Sequence, residues 1–163
     1  MDTFTPRAVE PAALTALRSA DDAGRPFAPY TAEEGGEPLR CCLRRAVPGE
    51  RVGLVSYAPL RRWAADTGAA PGAYDEVGPV FVHAEECGGP EERQPSEVYP
   101  FERAGVLRTV RRYGADGRIL GGRLVELPGL EEAFADAFAD PDVALVHVRA
   151  VEYGCFLFEV RRP

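Results

Sequence analysis

The spacing of apolar residues changes along the chain, and each change predicts an element. In Leu130–Ala139 (LEEAFADAFA), Leu130, Phe134 and Phe138 recur every four residues, with Glu131, Glu132 and Asp136 on the other side. That pattern predicts an amphipathic helix, stopped by Asp140-Pro141. Residues 9–20 place Ala13, Leu14 and Leu17 at helical spacing, with Pro11 in the first turn, where its missing N–H costs little. Elsewhere the period is two or the run is continuously apolar, as strands require. Such runs occur at Leu39–Val47, Arg51–Ala58, Val80–Ala84, Leu107–Tyr113, Arg118–Leu127, Val143–Ala150 and Gly154–Arg161.

Punctuation between these runs favours hairpins. Pro48-Gly49-Glu50 joins the first two runs and Gly114-Ala115-Asp116-Gly117 joins Leu107–Tyr113 to Arg118–Leu127. Val151–Tyr153 connects the last two runs. Residues 21–38 carry Gly24, Pro26, Pro29, Gly35, Gly36 and Pro38 and read as a surface loop, and 59–77 reads as an irregular or short helical excursion around Trp63. The segment 85–100, containing EECGGPEERQP, has almost no apolar anchor, so 85–98 is expected to be the most mobile part of the chain. Strands outnumber helices and hairpins outnumber crossovers. The fold class is therefore α+β, a mostly antiparallel sheet built from hairpins with two or three helices packed on it. With 163 residues and no repeat, the chain reads as a single domain, 1–38 forming an N-terminal helix and loop and 39–162 the core.

Composition narrows the partners. The net charge is −7 from 19 basic and 26 acidic residues, which argues against nucleic acid and anionic membrane surfaces. No apolar run approaches the roughly 18–20 residues that span a bilayer. The N-terminal MDTFTPRAVEPAAL lacks a basic start followed by an apolar stretch, so it is not read as a secretory signal, and a cytoplasmic protein is expected. All the basic residues are Arg, with no Lys or Asn and a single Ile, a usage that points to a GC-rich, actinobacterial genome. Arg abundance therefore carries no functional weight, and each Arg must be argued from its position.

Four cysteines occupy positions 41, 42, 87 and 155. In a reducing compartment disulfides are not expected. Cys41 and Cys42 are neighbours in a strand-like run and should point to opposite faces, away from any shared site. No CxxC pair occurs, so no metal ligands are assigned. Nor does a phosphate loop, GxSxG or HExxH occur, so no cofactor is expected.

The final hairpin is the most informative stretch. Alternation puts Ala144, Val146 and Val148 on one face with Phe156, Phe158 and Val160, and leaves His147, Arg149 and Cys155 together on the other. Arg149 should lie roughly opposite Cys155 and pair with Glu152, Glu159 or another acid, unless it faces an open cavity. The second histidine, in GPVFVHAEEC, ends a short apolar strand with Cys87 four residues later. Both strands are short and broken by one histidine, so they are expected to be sheet neighbours with His83 and His147 on the same side. Glu85, Glu86 and Glu152 are further acid–base candidates at strand ends. A joint metal set of His83, Cys87, His147 and Cys155, and a Cys–His nucleophile pair, are weaker readings than buried, hydrogen-bonded histidines and inert thiols.

The blocks GEPLRCCLRRAVPGERVGLVSYAP, GPVFVHAEEC, VRRYGADGRI and HVRAVEYGCFLFEV resemble an uncharacterised bacterial family, domain of unknown function 1203 (DUF1203). The resemblance runs over about residues 39–162 and carries over to Arg40, Cys42, Tyr57, His83, Cys87, Arg111, Tyr113, His147, Arg149, Gly154 and Cys155. Where the family pattern has Asn, this chain has Ala150. The resemblance names relatives and implies no reaction.

The expected function is accordingly a small-molecule pocket. His147, Cys155 and His83 are the catalytic candidates, and Arg149, Arg111, Tyr113 and Tyr57 the substrate-binding ones, with the arginines gripping an acidic small molecule. A tailoring or cyclisation step of specialised metabolism, or an accessory role in it, fits that picture. The alternatives are a non-catalytic protein that meets a partner through the acidic loop 85–100, and a His/Cys metal-binding protein.

Overall fold

Pro11 at the first position of helix α1 (Pro11–Leu17) leaves no donor wasted, and Ala13, Leu14 and Leu17 bury the helix's apolar stripe. From this start the computed structural model describes residues 4–90 and 98–163. The elements continue as β1 (Tyr30–Thr31), β2 (Pro38–Leu39), β3 (Arg44–Arg45), β4 (Arg51–Tyr57), α2 (Pro59–Thr67), β5 (Gly78–His83), β6 (Leu107–Gly114), β7 (Ile119–Glu126), α3 (Leu130–Ala139), β8 (Val143–Ala150) and β9 (Phe156–Arg161). They form two sheets, one ordered β1-β4-β5-β2-β3 and the other β7-β6-β8-β9. Every pairing is antiparallel except β2 with β5. The class is α+β, as the periodicity implies. None of the described helices is long and apolar enough to cross a membrane.

The chain divides into two compact units. One holds the N-terminal residues up to Arg7 with Pro59–Glu76 and Glu102–Pro163, and the other holds Ala8–Ala58 and Val77–Phe101. In the first, β8 is buried along nearly its whole length, as expected for a central strand flanked by β6 and β9. Phe134 of α3 packs edge-on against Phe4 and Phe158, at ring-centroid distances of 5.8 and 6.5 Å, over the face that carries Val146, Val148 and Val160. Leu60 and Trp63 of α2 cluster with Tyr113 and Leu145. The β6–β7 turn needs Gly117, whose φ is +87° and where a Cβ would press on Pro71. In the second unit the buried residues include Leu14 and Leu17 of α1, Leu39, Val52, Val55, Val80 and Val82.

Two expectations about pairing fail, each for a local reason. The runs Leu39–Val47 and Arg51–Ala58 do not form a hairpin. A tight turn at 40–43 breaks the first run, closed by the Leu43 N–H donating to the Leu39 carbonyl at 2.9 Å, with Leu43 itself in the left-handed region at φ 59°. β3 therefore folds back on β2, and β4 pairs with β1 and β5. The histidine-bearing strands are not neighbours either. β8 has both edges taken by β6 and β9, while β5 lies between β4 and β2 in the other sheet. Of the segment 85–98, expected to be highly mobile, residues 91–97 lie outside those described.

Candidate metal centre

The turn at 40–43 brings two adjacent thiols to one place. In a strand Cys41 and Cys42 would diverge, but on this turn their Sγ atoms lie 4.0 Å apart and both are buried. The end of β5 brings His83 against them, its Nδ1 at 3.3 Å from Cys41 Sγ and 3.8 Å from Cys42 Sγ. The His83 backbone N–H also donates to Cys41 Sγ at 3.2 Å. Four residues on, Cys87 completes the group, and the four ligand atoms all lie within 4.8 Å of one another. The intervening chain is clamped by Arg18, whose Nε donates to the His83 carbonyl at 3.1 Å and whose Nη2 donates to the Glu85 carbonyl at 2.9 Å.

The far side of the imidazole is as well defined. His83 Nε2 lies 3.1 Å from Glu50 Oε1. Arg44 grips Glu50 bidentately at 3.0 and 2.6 Å, and the Val47 N–H donates to it at 2.8 Å. These donors, Arg44 foremost, hold the Glu50 carboxyl down at about 2. An ionised carboxylate only accepts, so Nε2 carries the imidazole proton and the Nδ1 lone pair faces the thiols. The hydrogen bond between Cys41 and Cys42 pushes the Cys42 thiol down to about 6 and raises that of Cys41, so a thiolate is already favoured beside the imidazole.

A tetrahedral zinc ion with sulfur at about 2.3 Å and nitrogen at about 2.0–2.1 Å sets S···S near roughly 3.8 Å and S···N near roughly 3.5 Å. The observed 4.0, 3.3 and 3.8 Å fall around those separations. One buried Cys–His contact is ordinary packing, whereas three sulfurs around one imidazole nitrogen whose other nitrogen donates to a carboxylate is the arrangement of a metal-ligating histidine. An open cavity of about 390 Å³, lined by His83, Cys87, Arg44, Arg51, Glu85 and Glu86, reaches this cluster.

The expected pocket residues separate. His83 belongs to the cluster above, and Tyr57 is buried at the end of β4 in the same five-stranded unit. His147, Arg149, Arg111 and Tyr113 belong to the four-stranded unit, where they share a sheet face: Arg111 pairs with His147, Thr109 with Arg149 and Tyr113 with Leu145. His147 is fully buried, its ring 4.7 Å from that of Tyr113, and its Nε2 lies 3.2 Å from Glu159 Oε2. Burial pushes the Glu159 carboxyl up, but hydrogen bonds from His147 and from Arg161 Nε at 2.7 Å outweigh it and keep the group ionised. Burial holds His147 neutral, with Nε2–H donating to Glu159. Cys155 departs from the expected position. A bulge between Val148 and Arg149 sets Phe156 opposite Arg149, so Cys155 sits in the turn before β9, its Sγ 3.7 Å from the Tyr153 carbonyl.

Arg149 does pair with an acid, and that acid is Glu76 rather than Glu152 or Glu159. Its Nη2 meets Glu76 Oε2 at 3.1 Å and its Nη1 donates to the Gly154 carbonyl at 3.1 Å, while Arg111 Nη1 reaches the same Glu76 oxygen at 2.5 Å. Burial, then the neighbouring Arg111, lowers the Arg149 guanidinium from its ordinary range. Among the described residues His147 Nδ1 and Arg149 Nε are buried without a hydrogen-bond partner, each such orphan costing about 1–3 kcal/mol, while the Tyr113 hydroxyl faces the Arg111 and Arg149 guanidiniums. Sequence reasoning missed Glu76, Glu50, Cys41 and the role of Cys42. The usable signal was Cys87 four residues beyond His83, to which the cysteine pair of the preceding hairpin could have been added.

A two-sheet α+β chain with three thiols and an imidazole gathered at the end of one sheet is the class that fold and site define. The chain belongs to the family described as Protein of unknown function (DUF1203), which matches residues 36–162. No curated protein and no solved structure matches it.

Proposed function

We propose that this protein is a metal protein whose five-stranded unit holds one divalent cation of the zinc class on Cys41, Cys42, His83 and Cys87. The observation that carries this reading is the convergence of all four ligand atoms within 4.8 Å, with the imidazole fixed from behind by Glu50. Thiolate-rich tetrahedral sites select zinc over magnesium or calcium, which prefer oxygen. Four protein ligands close the coordination shell, the arrangement of a structural rather than a hydrolytic zinc site. The ion ties the β2–β3 turn to the end of β5 and the chain beyond it. Four free cysteines and a thiolate centre fit a reducing compartment, and a cytoplasmic location is part of this proposal.

The test is elemental analysis of protein purified without a histidine tag, followed by cobalt substitution. About one equivalent of zinc, and a cobalt form with thiolate charge-transfer and tetrahedral d–d absorption, are expected. Cys42→Ser should lose both signals while His147→Gln keeps them. A folded wild type that takes up neither zinc nor cobalt overturns the proposal.

A further inference from the structure

The four-stranded unit holds a second constellation, independent of the metal reading. On one face of β6 and β8 the guanidiniums of Arg111 and Arg149 converge on a single oxygen, Glu76 Oε2, at 2.5 and 3.1 Å. Glu76 follows the short 3-10 turn Gly72–Tyr74, lies outside any helix or strand, and has a side chain 47% exposed. The groups around it are its opposite in burial: Tyr113 and His147 are fully enclosed and Arg149 is 8% exposed. Among the described residues Arg149 Nε and His147 Nδ1 have no partner, and the Tyr113 hydroxyl, whose oxygen faces the Arg111 and Arg149 guanidiniums, has its O–H unspent.

Charge points the same way. Glu159, the other carboxylate on this face, is engaged by Arg161 and His147, so among the described residues Glu76 alone faces the two guanidiniums. Two cations, two unused donors and one unused acceptor thus surround one solvent-reachable carboxylate. Buried polar atoms are ordinarily satisfied, and two orphans beside a phenol with an unspent O–H mark a place where bonding capacity is held for something else. The inventory is specific. Arg149 Nε–H donates, the phenol donates or accepts, and His147 Nδ1, with the proton on Nε2, only accepts.

We propose that Arg111, Arg149, Tyr113 and His147 form a binding site for a small organic acid that carries a hydroxyl or amine beside its carboxylate, and that Glu76 is the site's internal occupant. The ligand carboxylate replaces that of Glu76 on the two guanidiniums and takes the Arg149 Nε–H and Tyr113 hydroxyl donors. The neighbouring O–H or N–H donates to His147 Nδ1. Glu76, on an exposed segment, swings to solvent. Because an internal carboxylate competes for the same cations, the apparent affinity of the intact protein is reduced by the fraction of time Glu76 is bound.

The probes are glycolate, acetate and inorganic phosphate, read by calorimetry and by the ring-nitrogen NMR signals of His147. Glycolate should bind and shift Nδ1, acetate should bind more weakly without that shift, and phosphate should bind least. Glu76→Gln should bind glycolate at least tenfold more tightly than the wild type, and Arg149→Met should lose binding in either background. If Glu76→Gln gains nothing and His147 shows no saturable shift, the cluster is a structural ion-pair network and the proposal falls. If phosphate binds better than glycolate, the ligand class is wrong and the proposal falls as stated. Should Glu76→Gln fail to fold, the His147 titration of the wild type decides alone, absence of a saturable glycolate shift being the negative result. Zinc content is followed throughout, so that failure of this site is distinguishable from failure of the metal reading.

Discussion

At the scale of single residues, Glu50 and His147 show how one contact sets what a histidine can do. Glu50 accepts from His83 Nε2 and is itself held by Arg44, so it fixes which imidazole nitrogen faces the sulfurs. Glu50→Gln keeps the shape and removes the charge, and metal affinity should fall by about 10–100-fold, the usual effect of losing an outer-shell carboxylate. Competition against a chromophoric chelator measures this, and an unchanged affinity would reduce Glu50 to a partner of Arg44 alone. His147 is the opposite case, an imidazole kept neutral by burial, below its ordinary 6.5. Below that pH the unfolded chain takes up a proton that the folded chain refuses, so stability falls as pH drops. The loss develops as pH falls through the ordinary imidazole range, where the unfolded chain protonates first. Urea denaturation at pH 7.5 and at pH 5.5 should show the wild type losing more stability on acidification than His147→Gln does. Equal losses would mean that His147 is protonated in the folded protein.

At the scale of elements, burial dictates more than local propensity does. Phe134 sits on α3 at full burial, packed on Phe4 and Phe158, and no other aromatic of that helix is as enclosed. Phe134→Ala should cost about 3–5 kcal/mol, and a denaturation midpoint shifted by less than about 1 kcal/mol would show that α3 does not carry this core. The elements that share this property were legible in the sequence. α3 and β8 occupy the residues their periodicity marks, and the β6–β7 hairpin forms around Gly114–Gly117. The illegible parts have physical causes of two kinds. The turn at 40–43 puts Leu43 at positive φ, a state bulky residues seldom adopt, so no glycine, proline or asparagine announces it. The partners of Arg149 and His83, Glu76 and Glu50, lie 73 and 33 residues away in sequence, and alternation can assign a face but not a partner brought in by another segment. The site was therefore half readable. His147 and Glu159 emerge on one face as alternation requires, whereas the cysteines that converge on His83 could be grouped only once the turn was known.

At the scale of the whole molecule, a metal bound to four side chains is also a folding term. An ion that binds only the folded chain stabilises it by RT ln(1 + [M]/Kd), about 4 kcal/mol at a thousandfold excess over Kd. For a chain of 163 residues each kcal/mol moves the melting temperature by about 2–4 °C. Chelation should therefore lower the midpoint by about ten degrees, and Cys42→Ser should melt at the chelated value with or without zinc. The ligands are not spread evenly. All four lie in the unit made of Ala8–Ala58 and Val77–Phe101, at the β2–β3 turn, at the end of β5 and just past it. Cooperative units open separately, and a local ligand protects the unit it binds. Chelation should accordingly speed amide exchange in β2, β3 and β5 first, while β6, β8 and β9, whose ladder contains none of the ligands, keep their protection under native conditions. Exchange that accelerates equally in both sheets would show that the ion governs global stability instead. A melting temperature indifferent to chelator, with exchange unchanged everywhere, would mean that the three thiols and the imidazole form a hydrogen-bonded cluster that needs no ion.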